Sequence, residues 1–168
     1  MTPREIKTHH ELDALDIRLM SHLQQDASIS NLALAEKLRI SPPTCLRRVK
    51  RLAEGGWIER QIAVLNPARL GASLGHIVCA LLEVTLDAQG AEHLDAFEAK
   101  AVADDAVQQC WRVASGPDFI LVVQALSMPD YLEVTRRLLT QDANVRNVKT
   151  FFSIKRAKFS GALPLPKL

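Results

Sequence analysis

Arginine side chains are concentrated in one short stretch of this 168-residue chain, between positions 39 and 51, which holds five basic residues and no acidic one. At 100° per residue, one face of a helix predicted over Pro42–Glu54 carries four polar side chains: Thr44, Arg47, Arg48 and Arg51. A guanidinium group can bind a phosphate or a guanine edge through two parallel N–H groups. The stretch therefore has the chemistry to bind nucleic acid, and a solvated basic surface is the alternative interpretation.

Three predicted helices in the first 65 residues would position this face. The first has apolar residues at helical spacing from Leu12 to Leu23, with Asp13 and Asp16 in its first turn. The second is short: it begins after the N-cap Ser30, ends near Leu38 and is expected to bury Leu32, Ala35 and Leu38. The third is capped by Ser41, starts with Pro42 and ends at Gly55-Gly56. Its buried side is expected to carry Leu46, Val49, Leu52 and Ala53, with Cys45 at the boundary.

Two short helices joined by a tight turn, the second of them basic, are typical of a helix-turn-helix. The residues Trp57 to Leu65 favour a β conformation and predict a hairpin or a single strand, the wing of a winged helix. Asn66-Pro67 then ends this β-prone stretch. We therefore expect a winged helix-turn-helix domain over residues 1–65 and a linker over 66–73.

The rest of the chain predicts the element order βαββαβ. Strands are expected at His76–Leu86, Val107–Ala114, Phe119–Leu126 and within Val145–Lys158, and helices at Ala88–Ala103 and Pro129–Leu139. This order is ferredoxin-like, with an antiparallel sheet and both helices on one face, so the predicted fold class is α+β. The domain would span residues 74–158 and precede an extended tail, 159–168. Because the strands are apolar on both faces, we expect a second copy to cover the open face.

The net charge of +2 is unevenly distributed: residues 1–65 carry +2, residues 66–142 carry −6 and residues 143–168 carry +6. The basic end is either a solvated strand and tail or a second nucleic-acid contact. The tail is also a candidate to pack on a neighbouring subunit.

Several functional classes are excluded by the motifs that are missing. The sequence has no G-x-S-x-G, G-x-G-x-x-G, P-loop or H-E-x-x-H motif, and its five histidines show no paired spacing, so we expect no enzyme activity. Three widely spaced cysteines, Cys45, Cys79 and Cys110, predict reduced thiols, with neither a metal site nor a cofactor. No apolar run is long enough for a membrane span, and the first ten residues have no apolar stretch of the kind a secretory signal requires, which predicts a cytoplasmic protein.

The sequence resembles the Lrp/AsnC family of bacterial transcription regulators over about residues 11–158. The resemblance is carried by LDALDIRLMSHLQQDASIS (12–30), LALAEKLRISPPTCLRRVKRLAEGGWI (32–58), LNPARLG (65–71) and VASGPDF (113–119). It implies a DNA-binding regulator that forms homo-oligomers, at least a dimer and in this family commonly an octamer. It also implies regulation by an amino acid or a related small metabolite.

By the same resemblance, one set of residues would contact double-stranded DNA: Arg39, Ser41, Pro43, Thr44, Arg47, Arg48, Lys50, Arg51 and Arg60. Within it, Arg47 or Arg48 is the better candidate for reading bases, whereas Arg39, Lys50, Arg51 and Arg60 are candidates for phosphate contacts.

The family's effector pocket is built around the turn before the third strand, which here holds Ser115, Gly116 and Asp118, with Thr150 as a further candidate. Ser115 stands where the family usually has glycine, and Pro117 where it usually has an aromatic residue. Asp118 matches the family's aspartate and would hold an ammonium group or, alternatively, cap the turn. The alternative function is an effector-binding or oligomerisation module with weak or absent specific DNA binding.

Overall fold

The computed structural model describes residues 12–75 and 77–166. The chain divides into two compact units. One contains the chain up to Val64 together with the segment that begins at Lys158, and the other is Leu65–Ala157. The first unit is therefore assembled from two separate parts of the sequence.

Three helices form the first unit: α1 (Ala14–Leu23), α2 (Asn31–Leu38) and α3 (Pro42–Glu54). A reciprocal pair of hydrogen bonds between Asp13 and Asp16 caps α1, and the Ser30 and Ser41 hydroxyls accept from backbone N–H groups at the starts of α2 and α3. The predicted bounds of α2 and α3 are confirmed. Between them Arg39 adopts the left-handed conformation, φ 56°, which makes the turn tight.

The core of this unit differs in part from the prediction. It comprises Leu19, Leu23, Leu34, Ala35, Leu38, Cys45 and Leu52. Leu32 and Leu46, both expected inside, are 58% and 59% exposed. Leu34 takes the inward position on α2, and Cys45 lies at the centre of the buried side of α3. Ala53 is exposed as well, so the buried side of α3 is rotated from the one expected.

The segment after α3 does not form the strand or hairpin that we expected. Residues 57–66 contain no strand, and Ile62, Val64 and Leu65 are 58–63% exposed. A two-stranded ribbon needs an apolar surface to pack on, and these side chains remain mostly exposed. The predicted linker is largely helical: α4 spans Pro67–Leu74, with Asn66 as its N-cap and proline at its first position.

The second unit has the predicted βαββαβ order: β1 (Val78–Leu86), α5 (Ala91–Val102), β2 (Val107–Arg112), β3 (Phe119–Ala125), α6 (Met128–Thr135) and β4 (Val145–Phe152). A π-helical turn, Arg136–Thr140, extends α6. The strand order is β2-β3-β1-β4 with every neighbouring pair antiparallel, which is the ferredoxin-like arrangement. The expected start of β1 at His76 lies outside the described residues.

One face of this sheet packs under α5 and α6. Its core includes Leu82, Val84, Phe119 and Leu121, each 0–1% exposed. Phe97 of α5 packs against Phe119 with the ring centroids 4.9 Å apart and the rings tilted by 42°. The opposite face carries apolar side chains that remain exposed: Leu81, Trp111 and Phe151, at 41–58%. Strand alternation therefore produces one buried face and one open face, on which these apolar side chains lie among polar ones such as Glu83 and Lys149.

The tail from Lys158 onward is grouped with the first unit of its own chain, and its packing on a neighbouring subunit stays a prediction. Gln24, the C-cap of α1, holds the tail with both ends of its side-chain amide. Its Nε2 donates to the Leu163 carbonyl at 3.0 Å, and its Oε1 accepts from the Leu163 N–H at 3.0 Å.

Candidate nucleic-acid interface

Helix α3 presents a basic face on a capped and packed scaffold. The buried positions Cys45 and Leu52 face the core, and Pro43, Arg47 and Lys50 are exposed. At the start of the helix the Ser41 hydroxyl accepts from the Thr44 N–H, and the two hydroxyls lie 2.8 Å apart. The cap fixes where the exposed face begins.

Two of the predicted DNA-contacting arginines are bound to carboxylates of α1. Arg48 Nη1 donates to Asp13 Oδ2 at 2.6 Å and to Asp16 Oδ1 at 2.8 Å, and Arg51 Nη2 donates to Asp16 Oδ2. Asp16 is fully buried, whereas the side chains of Arg48 and Arg51 are 23% and 44% exposed. These ion pairs connect α1 to α3 across the first unit.

The ion pairs have opposite effects on the groups that they join. The hydrogen bond from Arg48 lowers the pKa of Asp13 below its usual value. The bonds to Asp13 and Asp16 raise the pKa of Arg48 further above its already high value. Both groups are therefore charged throughout the physiological range.

The role of Asp16 was missed in the sequence, although a signal for it exists. Asp16 precedes the buried Leu19 by three residues and Leu23 by seven, so it lies on the buried stripe of α1. A carboxylate on such a stripe requires a cationic partner. The arginines of α3 were the available partners.

Arg47, Arg48 and Arg51 together line a cleft of about 220 Å³. Within the described ranges, Arg47 and Arg39 form no ion pair with a carboxylate, and Lys50 lies 3.7 Å from Glu54, one turn along the exposed surface. Arg60 is exposed on the segment that follows α3. Arg47 thus combines exposure, a rigid helical support and an unpaired guanidinium group.

The turn before β3 uses its charged residue differently. The Leu86 N–H donates to Asp118 Oδ2 at 2.7 Å, and Gln89 Nε2 donates to the same oxygen at 3.2 Å. Gly116 has a φ of 85°, a conformation that glycine adopts without strain, and Ser115 is exposed beside it. In this structure Asp118 fastens the turn to the end of β1.

Thr150, the fourth predicted effector residue, is not brought to this turn. It pairs with Leu82 on β1, and its hydroxyl lies 3.3 Å from the Tyr131 hydroxyl under α6. Leu82 and Leu86 are four residues apart on β1, about 13 Å. The structure therefore brings Ser115, Gly116 and Asp118 together and leaves Thr150 in the helix-covered layer.

Other chemistry is sparse in the part of the chain that the structure describes. No group of three histidine, cysteine or acidic side chains there could hold a metal ion. The three cysteines form no disulfide: Cys45 is buried, Cys79 and Cys110 are half-buried, and burial raises the pKa of the Cys45 and Cys110 thiols. No described helix has the length and apolar character that crossing a bilayer requires.

Two family profiles match the chain, one on each side of the division at Val64. A winged helix-turn-helix DNA-binding profile matches residues 12–59. An Lrp/AsnC ligand binding domain profile matches residues 79–163.

Relatives and solved structures match along nearly the whole length. A leucine-responsive regulatory protein of Rhizobium meliloti is 36% identical, over 88% of this chain and 92% of the relative. A protein of the same description from Haemophilus influenzae is 32% identical over 96% and 95%. Among structures, a transcriptional regulator of Neisseria meningitidis in complex with L-Met is 25% identical, with a TM-score of 0.78 over 92% of this chain and 97% of that one.

Proposed function

Because this chain belongs to the Lrp/AsnC family of transcription regulators, we propose that it binds specific DNA sequences through α3 and that an amino acid or a related metabolite modulates this binding. The family consists of regulators and not of enzymes. The helix-turn-helix match lies in the first unit, and the ligand-binding match lies in the second unit except for its last residues, 158–163.

The observation that carries the DNA-binding proposal is the exposure and lack of an ion pair at Arg47. It is exposed on a capped helix, unpaired by any carboxylate of the described residues, and beside the cleft that it shares with Arg48 and Arg51. A guanidinium group in that position can reach a guanine edge in the major groove. We therefore assign base reading to Arg47, and phosphate contacts to Arg39, Lys50 and Arg60, with Ser41, Pro43 and Thr44 near the backbone.

The test is a binding measurement on a duplex selected by the wild-type protein from a random pool. At fixed salt, Arg47→Ala should lose about 10- to 100-fold in affinity for that duplex, the range of one good base contact. Arg18→Ala is the matched control, because it removes one exposed arginine of the same unit from α1. Equal losses in the two variants would contradict base reading by Arg47.

Homo-oligomer formation is the second part of the proposal. The open sheet face exposes Leu81, Trp111 and Phe151, and a second copy of the same face would bury them. We propose a dimer as the basic unit and an octamer as the assembled form. Sedimentation velocity of the wild type and of Leu81→Glu tests it: the variant should sediment as a smaller species. An unchanged distribution would show that this face does not mediate assembly.

The effector is proposed to bind in the second unit, near Ser115, Gly116 and Asp118, with Thr150 as a more distant candidate. The support is the ligand-binding domain profile over residues 79–163 and the L-Met complex of the Neisseria regulator. A thermal-shift screen against the twenty amino acids tests this proposal, because a ligand at 100 times its Kd stabilises the native state by about 2.7 kcal/mol. No shift with any of them would favour a regulator without an amino-acid effector.

A further inference from the structure

Asp16 is the only charged residue that is buried within residues 12–75 and 77–166. A buried carboxylate is costly unless it is paired, and here Arg48 and Arg51 bind its two oxygens. Asp13, half exposed at the cap of the same helix, adds a second bond to Arg48. The carboxylates of Asp13 and Asp16, at the start of α1, thus neutralise the charge of two of the five basic side chains between positions 39 and 51.

We propose that Asp13 and Asp16 determine the specificity of DNA binding, by neutralising Arg48 and Arg51 and holding both guanidinium groups against α1. Helix α3 then meets DNA with Arg47 as the unpaired cation of its central turn. This inference rests on the proposed DNA-binding function, and it assigns a positioning role to residues that lie outside α3.

The physical basis is the difference between phosphate and base contacts. A free surface cation binds the phosphates of any sequence, and each phosphate neutralised steepens the dependence of log K on log salt by about 0.9. Such contacts carry no sequence information directly. An arginine that is already paired with a carboxylate adds little to this general attraction, so the two aspartates lower the affinity for unrelated DNA more than the affinity for the cognate site.

Of the two paired arginines, Arg51 is the one whose availability to DNA depends most on its carboxylate partner. It lies one helical turn after Arg47, its side chain is 44% exposed, and it lines the same cleft. Asp16 supplies its ion pair in the structure. Without that carboxylate charge, Arg51 would become a second cation beside Arg47, free to reach a phosphate.

The experiment compares Asp13→Asn, Asp16→Asn and the wild type on two duplexes, the selected one and a scrambled one, between 50 and 200 mM salt. Asparagine is an effective N-cap, so Asp13→Asn removes the charge and retains the cap. Glu36→Gln is the matched control: it removes one exposed carboxylate of the same unit that pairs with no basic side chain of the described residues.

We expect both aspartate variants to bind the scrambled duplex about 3- to 10-fold more tightly at 50 mM salt, with a slope steeper by about 1. The ratio of selected to scrambled affinity should fall by at most the same factor, about 3- to 10-fold. In Asp16→Asn/Arg51→Gln the extra slope should disappear, since the released cation is removed. Glu36→Gln should leave the slope and the ratio unchanged.

If the two aspartates only stabilise the fold, their variants should bind both duplexes more weakly, with an unchanged or shallower salt slope. That result would overturn the inference. If Asp16→Asn does not fold, Asp13→Asn decides the question alone. If the wild type binds the two duplexes equally, the proposed DNA specificity fails, and this inference fails with it. If the wild type discriminates and the variants discriminate equally well, only this inference fails.

Discussion

The exposed face of α3 and the turn between β2 and β3 both carry charged residues, yet the fold uses those residues in different ways. On α3, Arg48 and Arg51 are bound by carboxylates 32–35 residues earlier in the chain, and Arg47 is left unpaired by them. In the turn, the Asp118 carboxylate accepts from the backbone of β1. A side chain that satisfies a backbone group serves the fold first, and an exposed unpaired cation on a rigid helix is available for a partner.

The largest expected change in stability comes from breaking the ion pairs of α3. Arg48→Ala removes one of two cationic partners from the fully buried Asp16, so the free energy of unfolding of the first unit should fall by about 3 kcal/mol. Arg47→Ala should stay within about 0.5 kcal/mol of wild type, as substitutions at exposed, unpaired sites do. Urea denaturation of both variants checks this. Equal stabilities would remove the distinction between a fold-supporting and a DNA-facing arginine.

An intermediate effect is expected at the turn. Asp118→Ala deprives the N–H of the fully buried Leu86 of its acceptor, which should cost the second unit about 2 kcal/mol without any effector present. The control is Ser115→Ala, in the exposed part of the same turn. Thermal unfolding in effector-free buffer is the measurement. Full stability together with loss of the amino-acid response would instead identify Asp118 as a ligand-binding residue.

The smallest expected effect is a dependence on acid. The pKa of Asp13 is lowered in the folded state, so the unfolded chain takes up the proton at a higher pH than the folded one does. The stability that this contributes is complete above about pH 5 and is lost as the pH falls through the folded pKa. Between pH 5 and pH 3, the melting temperature of Asp13→Asn should therefore drop less than that of wild type. Identical drops would show that the Asp13–Arg48 pair does not stabilise the fold.

Much of the architecture was predictable because its determinants are local. The caps Ser30 and Ser41, the proline at the start of α3 and the glycines after it fixed the helix bounds to within a residue. The alternating and apolar runs of the second half predicted the βαββαβ order, since each strand and helix has its own period. The basic face of α3 was also visible, because the arginines recur at helical spacing.

What the sequence did not show depends on partners that are distant in the chain or absent from it. The ion pairs of Asp16 join residues 32 and 35 positions apart, and no local pattern specifies them. The strand expected after α3 has the right composition but no neighbouring strand to pair with in the described chain. Helix α4 was missed although Asn66-Pro67 is a normal helix start, because the interruption of the pattern was interpreted as a linker.

The bond between Gln24 and Leu163 has a consequence for how the molecule is made. Residues 139 positions apart meet in the first unit, so this unit needs both ends of the described chain whereas the second unit needs only a continuous stretch. The N-terminal unit is synthesised first, but it is complete only when the last of its residues has joined it. A chain shortened by ten residues would lose part of its N-terminal unit, although every residue of the three helices would still be present.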